Sequence, residues 1–347
     1  MPPTMKDIAK AAGVSQPAVS AVLNNRGNCR VSPETRSRIL RIAEELDYHP
    51  NQAARLLRGQ KSNTVAIFTS LSVSSLQNET LQQISLKLQK QKLTSFLVAA
   101  RDNEDLRERY LELLSRSIDA LICFHIDFDF DRSILKLPQV HVGVEVRDTP
   151  DIIQDLKGGG AFLASHLLEH GHKNFVFLTD KLSSNASKYE GVRERLTSSG
   201  KNTALEVLEF FHDTGIVSKI LKAVSSGATA FICTNDHIAS RLCRVLKQHN
   251  IKVPEEIAVT GFDGMAFTEY MTPSITTMRG DPEKIAQATV ELLLARMKDP
   301  MLSASIKIPV NFHCGESCGC KIKQEDNFFF ETMPAVITPQ KQQEKLQ

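Results

Sequence analysis

Three groupings in this chain have residue types and spacing that could do chemistry. Cys314, Cys318 and Cys320 form a C-x3-C-x-C run, and His166 and His170 lie four apart in an apolar stretch, where a helix would put both on one face. Lys157 precedes Gly158-Gly159-Gly160. Taken singly, none of these makes a site. The cysteine run is too tight for the paired spacing of a zinc module and has no fourth ligand beside it, and two histidines on one helix supply two ligands where four are needed. The glycines lack the Gly-Lys-Ser/Thr of a phosphate loop and read as a flexible helix start. No Ser-His-Asp or Cys-His arrangement stands in a recognisable context. The sequence therefore predicts no catalytic residue, no cofactor and no metal. The seven cysteines, an odd number with no export signal, are expected to be reduced thiols.

Charge points to the other end of the chain. Residues 1–61 hold ten Lys and Arg against five Asp and Glu, although the whole chain carries a formal charge of only +2. A basic head on a slightly acidic body is the footprint of a polyanion partner. The elements that would position such a head are legible. Thr4 caps a helix over 5–12. Gly13 supplies the turn, and Ser15 caps a second helix over 16–24 with Pro17 in its first turn, where no backbone donor is needed. Ser32-Pro33-Glu34-Thr35 opens a third helix that runs to about Leu46. Helix, Gly turn and helix is the geometry that seats a second helix in the major groove; alone it fits a small protein-binding bundle equally well.

Beyond residue 62 short apolar runs alternate with amphipathic stretches. Strands are expected over 65–69, 95–99, 120–124, 140–144, 175–178, 207–211, 228–233 and 257–261. Helices are expected over 76–92, 103–116, 158–170, 189–198, 216–225, 237–249 and 282–297. Such alternation builds parallel sheets covered on both faces, with ligands at the carboxyl ends of the strands. A length of 347 residues calls for two or three compact units. No apolar run approaches the ~20 residues that span a bilayer, and the N-terminus lacks the apolar core of a signal peptide, so a cytoplasmic protein with no membrane partner is expected.

The wording of the head is more specific than its pattern. Met5-Lys6-Asp7-Ile8-Ala9-Lys10-Ala11-Ala12-Gly13-Val14-Ser15, then Val31-Ser32-Pro33-Glu34-Thr35-Arg36 and Leu46-Asp47-Tyr48-His49-Pro50-Asn51, closely resemble the LacI/GalR family of bacterial regulators. In the body, His166 to His172, Thr234-Asn235-Asp236 and Val253 to Asp263 continue the likeness, which covers about residues 5–320. The resemblance implies an all-α helix-turn-helix head joined to a two-lobed, periplasmic-binding-protein-like α/β body of doubly wound parallel sheets. Residues 1–50 would be the head, 51–61 a hinge and 62–320 the effector-binding and dimerisation domain. Lobe 1 would take 62–159 plus 281–305, and lobe 2 160–280 plus 306–320. A polar tail, 321–347, lacks the Leu heptads of a tetramerising helix.

By the same resemblance the protein is a repressor. It would act as a homodimer on near-palindromic double-stranded operator DNA and be controlled by a small-molecule effector, a sugar or related metabolite. Major-groove readout falls on Ser15, Gln16, Pro17 and Ala21, and minor-groove contact on Asn51, Ala54, Leu57 and Arg58 of the hinge, with Leu57 the wedge that kinks the duplex. Effector contacts fall on Ser70, Lys188, Phe210, Asn235 and Asp263. Other roles stay open: Asp263 as a loop cap, Phe210 as plain core, Arg26 and Arg30 as solvated loop residues or phosphate contacts. The chain departs from the family's habit in Ala21 and Lys188, where Arg is usual, and in Ser72 to Asn78 after the first strand. A solute-binding protein and a sugar-metabolising enzyme are the competing functions. The basic head opposes the first, and the lack of a base–nucleophile pair opposes the second.

Overall fold

The computed structural model describes residues 3–23, 31–48, 61–71, 74–126, 128, 132–143, 151–210 and 215–320. The chain divides into two compact units, Met1–Ser62 and Asn63–Gln347.

Among its described residues the first unit has three helices, α1 (Met5–Ala12), α2 (Gln16–Leu23) and α3 (Pro33–Glu45). Thr4 and Asp7 form a reciprocal cap at the start of α1: Thr4 Oγ1 accepts from the Asp7 N–H at 3.4 Å, and Asp7 Oδ2 accepts from the Thr4 N–H at 2.8 Å. Gly13 ends α1 in the left-handed region, with φ 63°. Ile8, Val19 and Ile39, one from each helix, are completely buried against one another's neighbours in a single small core.

The second unit contains two parallel sheets. Its strands are β1 (Thr64–Ser70), β2 (Thr94–Ala100), β3 (Ala120–Phe124), β4 (Gln139–Gly143), β5 (Ile152–Gln154), β6 (Asn174–Thr179), β7 (Ala204–Glu209), β8 (Ala230–Cys233), β9 (Ala258–Thr260), β10 (Thr277–Arg279), β11 (Ile306–Ile308) and β12 (Asn311–His313). Its helices are α4 (Ser75–Lys90), α5 (Asn103–Ser115), α6 (Leu156–Glu169), α7 (Ala186–Ser198), α8 (Ile216–Ser225), α9 (Asp236–Gln248) and α10 (Pro282–Arg296). Six strands run in the order β11-β5-β4-β3-β1-β2 and four in the order β7-β6-β8-β9, while β10 and β12 form an antiparallel pair. Helices cover both faces of each large sheet, so central strands such as β1 and β3 are buried at every residue.

Four three-residue strands, β5, β10, β11 and β12, have no counterpart in the sequence reading, because three residues carry no periodicity and exist only through their partners. One of them moves a lobe boundary. β11 pairs in parallel with β5, so residues 306–308 belong to the six-stranded lobe rather than to the second. The Gly158-Gly159-Gly160 stretch does open a helix, but close packing and not flexibility calls for the glycines. All three lie inside α6, and a Cβ on Gly160 would fall 2.3 Å from the Lys188 carbonyl oxygen. A Cβ on Gly191 would fall 1.9 Å from the Lys157 carbonyl oxygen. The glycines let α6 and α7 touch backbone to backbone, and that contact fixes where Lys188 stands.

Candidate functional site

In the head, Val19 and Val22 turn into the core, which leaves the opposite face of α2 outward. Ser15 Oγ accepts from the Ala18 N–H at 3.4 Å, and Ser15, Gln16 and Pro17 are all exposed; Ala21, one turn on, is half-buried. The exposed turn is thus a helix N-terminus, where partly unpaired N–H groups favour an approaching anion. Lys6 and Lys10 on α1 and Arg38 and Arg41 on α3 are exposed cations of the same unit. Burial works against the Asp7 carboxylate, but the hydrogen bonds from Thr4 outweigh it and hold its pKa below the ordinary value. Asn51, Ala54, Leu57 and Arg58, and the loop residues Arg26 and Arg30, lie outside the described residues.

In the body, three of the five expected effector residues converge at the carboxyl end of the four-stranded sheet. Lys188, buried on α7, donates from Nζ to the Thr234 carbonyl at 2.7 Å, stands 3.7 Å from Asp263 Oδ1 and lies 4.1 Å above the Phe262 ring. Asp263 follows β9 with φ 104°, a conformation costly for a residue with a Cβ and held by its own N–H, which donates to the Met278 carbonyl at 2.7 Å. Burial pushes its carboxyl above the usual range, and Lys188 opposes that rise. Asn235 caps α9, its Oδ1 accepting from the Ile238 N–H at 2.9 Å.

The other two expected residues are engaged elsewhere. Phe210, just past β7, is half-buried against the sheet's outer core. Ser70 ends β1 in the other lobe, where its hydroxyl donates to the His125 carbonyl at 2.9 Å.

The sequence profile described as bacterial regulatory proteins, lacI family, matches residues 4–51, and that of the periplasmic binding protein-like domain matches residues 164–318. The repressor PurR of Aliivibrio salmonicida is 28% identical over 85% of this chain and 92% of its own length. The ribose operon repressor of Haemophilus influenzae is 26% identical over 86% and 92%. Among solved structures, the lac repressor dimer bound to operator and the anti-inducer ONPF superposes with a TM-score of 0.77 at 22% identity, covering 92% of this chain and 99% of that one. The regulator CelR in complex with cellobiose gives 0.63 at 23% identity, over 91% and 99%.

The chain joins a LacI-family head to a periplasmic-binding-protein-like body.

Beside this body site, one buried residue is absent from the sequence reading. Asp236, next to Asn235, is completely buried; its Oδ1 accepts from Thr277 Oγ1 at 2.6 Å and its Oδ2 from the Met265 N–H at 2.7 Å. It thereby ties the loop after β9, which carries Asp263, to β10. Burial pushes its carboxyl up to about 7, against the two hydrogen bonds. Its signal was present in the Thr-Asn-Asp motif, but the adjacent Asn drew the assignment. A second missed pair had no local signal: Arg279 on β10 meets Glu79 on α4 at 2.6 Å, 200 positions away in sequence.

Proposed function

We propose that this LacI-family protein is an operator-binding transcriptional repressor, acting as a homodimer, whose grip on DNA is set by a small polar metabolite of the carbohydrate class. The observation that carries the reading is the exposed, capped first turn of α2, which presents Gln16 and Pro17 outward from a basic unit whose core holds the opposite face. In that position Gln16 pairs with an adenine edge, Pro17 and Ala21 make apolar contacts, and Ser15 fixes the turn. Ala21 cannot make the guanine contact of an Arg. Leu57 of the hinge enters the minor groove as a wedge, flanked by Asn51, Ala54 and Arg58.

Lys188, Asn235 and Asp263 form the polar wall for the effector, and Phe210 and Ser70 complete the set of contacts that the resemblance implies. A sugar's hydroxyls suit this wall, because Asp263 accepts and Lys188 donates as a point charge rather than as the planar fork of an Arg. Cellobiose in the CelR structure is a ligand of that class. Dimerisation has a physical basis in the edge of the six-stranded sheet: among the described residues β2 pairs only with β1, and Phe96 and Leu97 on it are 50% and 59% exposed. A DNA partner places the protein in the cytoplasm and makes it a regulator rather than an enzyme.

The test is selection of bound sequences from random duplexes, with and without a panel of sugars and nucleobases. A near-palindromic consensus that one sugar strengthens or abolishes is expected; no preference over bulk competitor in any arm would overturn the reading. Leu57→Ala should weaken specific binding and reduce bending in a gel-phasing assay. A variant that bends the duplex as the parent does removes Leu57 from the wedge position.

A further inference from the structure

The cysteine run and the histidine pair, each too poor in ligands to make a site alone, meet in the fold. His166 and His170 lie in the last turn of α6 and at its end, and the chain beyond β12 returns across them. His166 Nε2 is 3.3 Å from Cys318 Sγ and 3.5 Å from Cys320 Sγ, and His170 Nε2 is 3.5 Å from Cys320 Sγ. The thiols of Cys314, Cys318 and Cys320 lie within 4.8 Å of one another. A tetrahedral zinc ion with Zn–S near 2.3 Å and Zn–N near 2.0–2.1 Å sets S···N separations of about 3.6 Å and S···S separations of about 3.8 Å. The two His166–thiol separations are therefore close to those of a ligand shell, and the three thiols stand near enough to one another to complete it.

Hydrogen bonding alone accounts poorly for this cluster. A neutral imidazole nitrogen has one lone pair or one proton, so His166 Nε2 cannot serve two thiols at full strength. A cation at the centre satisfies all the donors at once. The set is soft, rich in thiol and closed, which favours zinc over hard cations and resembles a structural rather than a catalytic site. The outer contacts suit thiolates as well: Thr276 Oγ1 donates to Cys318 Sγ at 2.9 Å.

We propose that Cys314, Cys318, Cys320 and His166 bind one zinc ion, and that His170 donates its Nε2–H to the Cys320 thiolate as an outer partner. The ion staples the end of the body to α6. It also reaches the effector wall through one strand. Ser317, beside Cys318, accepts from the Thr276 N–H at 2.9 Å, the next residue Thr277 binds Asp236, and Met278 O holds the Asp263 N–H.

Full-length protein, expressed with added zinc and purified without chelator, should hold about one zinc per chain by mass spectrometry of the metal. Cobalt substitution should give the thiolate charge-transfer and visible bands of a tetrahedral site. Cys318→Ser with Cys320→Ser should lower bound metal at least tenfold, as should Cys314→Ser at an exposed position, whereas His170→Asn should keep the metal and weaken it by about 10–100-fold. If the double variant does not fold, the wild type decides. Chelator should raise the alkylation rate of all three thiols and lower the melting temperature, and zinc should reverse both. The proposal is overturned by wild type purified without metal after zinc supplementation, by copper in place of zinc, by metal retained in a soluble double variant, by thiols indifferent to chelator, or by a disulfide within the run in protein alkylated at lysis.

Discussion

In the head, Ser15, Gln16 and Pro17 are consecutive residues that face outward because one short helix turns its apolar side to a small core. In the body, Lys188, Asn235 and Asp263 come from a helix, a helix cap and a strand end, and they meet because the four-stranded sheet and a glycine-built helix contact carry them there. The head presents its chemistry by local rules and holds little strain. The body gathers its chemistry at tertiary cost: Asp263 at φ 104°, Asp236 fully buried, and glycines where no side chain fits. DNA contact can therefore vary by exchanging exposed side chains, whereas the effector wall changes only together with the packing beneath it.

Four measurements would break or sharpen that contrast. The largest effect is expected from Ile39→Ala, which hollows a core of only a few side chains. A loss of about 2–5 kcal/mol should remove the head's unfolding transition and duplex binding while the body's transition stays in place. Loss of both transitions would mean that the two units do not hold themselves independently. Next comes Gly160→Val. Its Cβ would meet the Lys188 carbonyl, and about 3 kcal/mol of body stability should go, together with the effector response, while head melting is unchanged. An unaltered body would show that α6 and α7 do not need their close contact.

Asp236→Asn isolates the buried carboxyl through pH. The native carboxyl titrates near 7 and the unfolded one near 3.8, so the native form binds the extra proton between those values and wild-type stability falls as pH rises across that window. The asparagine variant cannot ionise. Its stability relative to wild type should improve by about 3–4 kcal/mol between pH 4 and pH 8 in denaturant titrations. A difference that stays constant with pH would place an ordinary carboxyl there. The smallest effect belongs to Gln16→Ala, which should relax one base position by about 1–2 kcal/mol in competition binding and leave the melting curve alone. An unchanged consensus would remove Gln16 from base readout.

Much of this could be read before the fold was known. The residues that break and cap helices, Thr4, Gly13, Ser15 and Ser32, locate the three described head helices, because capping is a matter of four adjacent residues. Apolar alternation located eight strands of the body, β1 to β4 and β6 to β9, although β7 begins at Ala204 and ends before Phe210, so that this ring sits in a loop against the core and not on the strand. The glycine run misled because its meaning lies in a neighbouring helix. Asp236 was hidden because burial, not residue type, makes it unusual.

Cap chemistry, hydrophobic period and charge asymmetry were enough to specify a basic helical head and an alternating α/β body, since each acts over a few neighbouring residues, and the wording of the motifs added the family likeness. What had to wait for the fold is every feature made by distant chain segments. The three-residue strands exist only through their partners, Arg279 finds Glu79 across 200 positions, and two histidines meet thiols about 150 residues further on. Such meetings depend on where the chain returns, and no local spacing records that.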